Sequence, residues 1–137
     1  MQNQTKLVQE TFARVAPQAG EVAAIFYGRL FEIDPSLRSM FHGDMTEQGR
    51  KLMQVLAAAV RGLHDLDALK PTLWALGERH RKYGVEERHY DTVGAALLWT
   101  LEQGLGTGFT PEVKTAWANV YGVLASEMKT AAMRAVG

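Results

Sequence analysis

The stretch Leu73-Trp74-Ala75-Leu76-Gly77-Glu78-Arg79-His80-Arg81-Lys82-Tyr83-Gly84-Val85 constrains this chain more than any other. Wound as a helix, it puts Leu73, Leu76, His80 and Tyr83 on one face, at offsets of three, seven and ten. Glu78, Arg79, Arg81 and Lys82 point elsewhere. One imidazole therefore stands on an apolar stripe that should face the interior. Gly84 closes the helix, and the basic last turn suits the helix dipole. A buried imidazole needs a partner for each ring nitrogen. It is either a core histidine satisfied by a carbonyl and a hydroxyl, or a metal ligand with its second nitrogen on a carbonyl one turn back.

Helical periodicity continues through the rest of the chain. Leu7, Val8, Phe12 and Val15 mark a first helix over 5–16, closed by Pro17. Val22, Ile25, Phe26, Leu30 and Phe31 mark a second over 18–33, with Tyr27 beside the stripe and Asp34-Pro35 ending it. A short turn over 35–41 follows. Thr46 reads as the cap of a third helix carrying Leu52, Val55, Leu56, Ala59 and Leu63 inward, with Gln48 on the same face. The fourth helix, 68–83, is the one described first. The fifth, 86–105, carries Tyr90, Val93, Leu97, Leu98 and Leu101. Thr110-Pro111-Glu112 opens a sixth that runs to 136, with Trp117, Val120, Tyr121, Leu124 and Met128 inward. Strand-type alternation is absent, so the fold class is all-α, in one domain over 1–137.

Composition excludes several chemistries. With no cysteine there is no disulfide, zinc-thiolate site, iron–sulfur cluster or thiol nucleophile. Fifteen basic and fifteen acidic side chains give no nucleic-acid footprint. No run approaches a membrane span, and the N-terminus lacks the apolar core of a signal peptide, which makes the cytoplasm the expected location.

Four features sit awkwardly in a plain helical core: His80, the inward amide of Gln48, the phenol of Tyr27, and Phe41 at the end of the short turn. Any one of them has an ordinary structural reading, as a satisfied or surface-reaching polar tip. Together they describe an apolar cavity with a few converging polar groups. His42 in a connector, His64 in a turn and His89 before Tyr90 read as structural.

On these residues the chain resembles the single-domain bacterial globins, in the branch of Vitreoscilla-type haemoglobin and the globin domain of flavohaemoglobins. The carrying motifs are Phe26-Tyr27-Gly28-Arg29-Leu30-Phe31, Pro35 with Phe41, Gln48 with Leu52, Arg79-His80, Gly84-Val85, His89-Tyr90 and Trp117 to Ala125. The run Arg50 to Leu56 is also similar to globins of acid-tolerant methanotrophs. The resemblance implies a three-on-three helical sandwich around haem b, with His80 the proximal iron ligand through Nε2. Its Nδ1 would face a carbonyl near Leu76 and the hydroxyl of Tyr90. Tyr27, Gln48 and Leu52 would line the distal side. Phe41, Leu56, Val85, Val93 and Leu97 would pack on the haem, and Lys51 would reach a propionate.

Dioxygen, nitric oxide and carbon monoxide are the implied ligands, for oxygen binding, storage or delivery with accompanying nitric oxide dioxygenation. Dedicated nitric oxide detoxification is the alternative, and a gas sensor a more distant one. No dinucleotide fingerprint is present, so sustained turnover is expected to need a separate reductase. Partners otherwise expected are none of nucleic acid or membrane, with the chain a monomer or homodimer. One departure stands out. The family's proximal relay places a glutamate where this chain has Ala132, and the nearest acid, Glu127, comes too early. That favours binding over oxygen-activating chemistry.

Overall fold

The computed structural model describes residues 2–136, the side chains of 2, 135 and 136 excepted. Six α-helices carry the chain: α1 (Gln2–Val15), α2 (Ala19–Ile33), α3 (Met45–Arg61), α4 (Leu66–Lys82), α5 (Glu87–Leu105) and α6 (Pro111–Val136). Short 3₁₀ pieces join several of them, the longest being Pro35–Met40. Among the described residues there is no strand. No described helix is long and apolar enough to cross a membrane.

Short polar side chains set the helix starts. Asp44 accepts the N–H of Thr46 at 2.9 Å and so caps α3. Thr46 thus lies inside the helix rather than at its cap. Asp65 caps α4 through the N–H of Ala68, which begins that helix two residues earlier than periodicity suggests. Thr110 accepts from Val113 ahead of α6, with Pro111 at the first helical position. At the start of α5 the carboxylate of Glu86 and the imidazole of His89 form a reciprocal capping box.

The helices pack in two layers of three. α2, α5 and α6 form one layer and α1, α3 and α4 the other, with α4 lying on α6, α3 on α2, and α1 on α6. The core is built from the stripes expected, including Val8, Phe12, Val15, Phe26, Leu30, Leu97, Leu101, Trp117 and Val120. Burial of this apolar surface is the main stabilising contribution. One polar thread crosses it: the indole N–H of Trp117 donates to Thr11 Oγ1 at 2.8 Å, and that hydroxyl donates onward to the carbonyl of Leu7 at 2.6 Å.

Two inward expectations do not hold. Tyr83 is 66% exposed, because α4 ends at Lys82 and the chain turns through Gly84 at φ +93°. The ring lies past the last full turn, where the stripe no longer applies. Val55 is 41% exposed. α3 turns Gly49, Met53 and Val60 into the core, a phase that leaves Val55 on the outer edge.

Candidate functional site

α2 delivers Tyr27 into an aromatic nest. The ring lies 5.1 Å from Phe26, 6.0 Å from Phe31 and 5.3 Å from Phe41, the contacts with Phe26 and Phe41 being edge-on. Phe41 reaches this nest because the proline-led turn over 35–40 ends in an extended residue that points its ring back at α2. Burial pushes the Tyr27 phenol above its ordinary range, and the amide of Gln48 on α3 pulls the other way. Phenol and amide are therefore neighbours across the α2–α3 joint, and both are neutral donors. Leu52 and Leu56 follow Gln48 at successive turns of α3 and pack half-buried against the core. Lys51 is exposed on the same helix.

α4 and α5 carry the other expected residues. His80 Nδ1 lies 2.7 Å from the carbonyl oxygen of Leu76, one turn earlier. A carbonyl only accepts, so Nδ1 carries the proton and Nε2 keeps its lone pair in the neutral ring. Burial holds the imidazole below its ordinary range, the Leu76 carbonyl opposes this, and the Arg79 cation adds to the lowering. Neutrality and a free Nε2 are what a metal-ligating imidazole requires. Val85 is tied beside it, its N–H donating to the His80 carbonyl at 3.0 Å. On α5, Tyr90 and Leu97 are buried and Val93 is half-buried.

Tyr90 differs from expectation in detail. Its hydroxyl is buried without a hydrogen-bond partner, so it does not bond His80. Its backbone carbonyl instead accepts from the Tyr121 hydroxyl at 2.6 Å. The early acid Glu127 is engaged elsewhere, its Oε1 accepting from the indole N–H of Trp74 at 2.9 Å. No local signal reveals that pair, since 53 residues separate its members. His89 is 2% exposed, its Nδ1 accepts the Glu86 N–H at 2.8 Å, and its Nε2 has no partner. The pattern E-x-x-H before an apolar run was the legible sign of that cap.

A cavity of about 790 Å³ opens behind Tyr27, between α1, α2 and α3, along Ala23, Gly28, Gly49 and Met53. His80, Gln48, Leu52 and Val93 do not line it. It lies on the outer side of the α2–α3 joint, away from the imidazole.

The residues fit a haem. One neutral imidazole offers a nitrogen lone pair, a phenol and an amide are paired on α2 and α3, and Leu52, Leu56, Leu76, Val85 and Val93 are apolar walls left half-covered. Porphyrin sites in helical proteins combine such a ligand with apolar walls.

Two layers of three helices with one neutral imidazole near the end of the fourth define a globin-type all-α domain. The chain belongs to the globin family, whose family model matches residues 24–128. It is 35% identical to neuroglobin of Tetraodon nigroviridis over 118 residues, 76% of this chain and 74% of that one. It is 33% identical to neuroglobin of Chaenocephalus aceratus over the same shares. Among solved structures, an engineered carbene transferase, a variant of the candidate nitric oxide dioxygenase RmaNOD of Rhodothermus marinus, superposes with a TM-score of 0.89. It is 25% identical, over 99% of this chain and 95% of that one. A bacterial globin of Campylobacter jejuni superposes with a TM-score of 0.86 at 21% identity, over 99% of each chain, and shares the fold.

Proposed function

We propose that this globin holds haem b through His80 and binds dioxygen and related diatomic gases reversibly, in the manner of the single-domain bacterial branch. The observation that carries the reading is the His80–Leu76 bond, which fixes the tautomer with Nε2 unprotonated. Support for the bacterial branch comes from the 25%-identical bacterial neighbour, which matches nearly the whole chain.

Haem supplies a ferrous iron that binds a diatomic gas. The remaining work falls to this chain. His80 Nε2 would hold the iron, and the Leu76 carbonyl orients the ring through Nδ1. Tyr27 and Gln48 would donate hydrogen bonds to the gas, worth more in a dry site than in water. Leu52, Leu56, Val85, Val93, Leu97 and Phe41 would keep water out, Tyr90 would pack on the His80 side, and Lys51 would pair a propionate. Neither distal donor ionises near neutral pH, so gas retention does not depend on a titrating histidine.

Nitric oxide dioxygenation, fed by a separate reductase, is the second reading. The likeness to a candidate nitric oxide dioxygenase favours it. The deciding experiment is a spectrum of the purified protein, ferrous and under carbon monoxide. A Soret band that shifts with the gas supports the proposal, and a colourless protein that takes up no added haem overturns it. Nitrate formed over many turnovers with a cellular reductase would put detoxification first.

A further inference from the structure

The joint between α4 and α6 has two unusual features a few ångströms apart. First, Gly77 lies directly on the backbone of α6. A Cβ built there would fall 2.2 Å from the Met128 carbonyl oxygen and 2.8 Å from its Cα. Only hydrogen fits, so the two backbones touch. Second, Trp74, one turn before Gly77, donates its indole N–H to Glu127, the residue beside Met128. A polar tie and a backbone contact thus meet at one point on each helix. His80 is three residues beyond Gly77 and shares its side of α4. Its ring is locked to its own helix through Leu76, so it moves as α4 moves.

We propose that Gly77 and the Trp74–Glu127 pair are positioning residues: together they fix how far α4 stands off α6, and thereby where the His80 imidazole sits. The inference rests on the reading of His80 as haem ligand. It also gives Glu127 a task. The acid that comes too early to meet Tyr90 acts on the imidazole through the helix that carries it, by position and not by charge.

Any side chain at residue 77 must lift α4 by about 1 Å to reach ordinary contact, and sites of this kind lose function over displacements of that size. Gly77→Ala tests the contact. Glu127→Ala removes the tie, while Glu127→Gln keeps an acceptor for the indole and drops the charge. The measurement is the iron–imidazole stretching band of the ferrous, haem-loaded protein by resonance Raman, with carbon monoxide release by stopped flow. We expect Gly77→Ala and Glu127→Ala to shift the band and to change release by about tenfold, equivalent to about 1.4 kcal/mol. Glu127→Gln should match the parent in both. If Gly77→Ala fails to fold, the two Glu127 variants decide alone. A parent without an iron–imidazole band sinks the haem assignment itself. A parent with the band, and Gly77→Ala and Glu127→Ala indistinguishable from it, overturns the positioning proposal while the haem assignment stands. A Glu127→Gln variant that behaves like Glu127→Ala overturns it too, in favour of charge.

Discussion

Tyr27 shows how much one side chain's surroundings determine its chemistry. Three phenylalanine rings bury it, and burial raises the phenol above its ordinary range. It therefore remains a donor around neutral pH. Replacing it with Phe keeps the nest and removes one hydrogen bond, worth about 1 to 1.5 kcal/mol. Dioxygen release by stopped flow should accelerate by about tenfold in Tyr27→Phe, and the parent rate should be flat between about pH 6 and 9. An unchanged rate would remove Tyr27 from the distal site. The directions of Tyr27, Gln48 and His80 followed from spacing, because each lies inside a helix where the 3.6-residue period holds, whereas their roles rested on the resemblance. Tyr83 was misread for the opposite reason: it stands past the last helical turn, where that period has stopped.

The helices were legible as elements, and their caps less so. Asp44 rather than Thr46 starts α3, because its carboxylate accepts the Thr46 N–H and its carbonyl the Gln48 N–H, so the helix is already under way at Thr46. Val55 fell on the wrong side because α3 serves two faces, one toward α2 and one toward α1, and a single stripe cannot describe both. The Trp74–Glu127 and Trp117–Thr11 pairs link residues 53 and 106 positions apart, so no window of sequence contains them. The cap of α5 is the most exacting device at this scale. His89 satisfies the Glu86 N–H from a fully buried position, directly before Tyr90. His89→Ala should cost about 1 to 3 kcal/mol, from the lost cap and the lost buried volume, measured by urea unfolding. A loss under a few tenths would mean that α5 starts without it.

Over the whole molecule, buried phenols set the alkaline limit. Tyr27, Tyr90 and Tyr121 are all held above the ordinary value near 10, in each case chiefly by burial. Their contribution to stability is complete below about pH 10 and declines above it, because the unfolded chain ionises first and so draws the equilibrium. His80 acts at the other end. Its lowered value favours the neutral ring in the fold, so the haem-free protein loses that contribution as pH falls below about 6.5. Tyr121→Phe should cost about 1 kcal/mol near neutrality, through the bond to the Tyr90 carbonyl, and should flatten the decline above about pH 10. Urea unfolding across pH checks both, and an equally steep alkaline decline would mean that Tyr121 is not the group responsible.

All of this depends on one nitrogen, and the spectrum of His80→Ala loaded with haem tests it most directly. The account predicts that the five-coordinate ferrous signature of an imidazole-held iron disappears in the variant and returns when free imidazole is added. A variant that keeps the parent's Soret band and iron–imidazole coordination without added imidazole would contradict it.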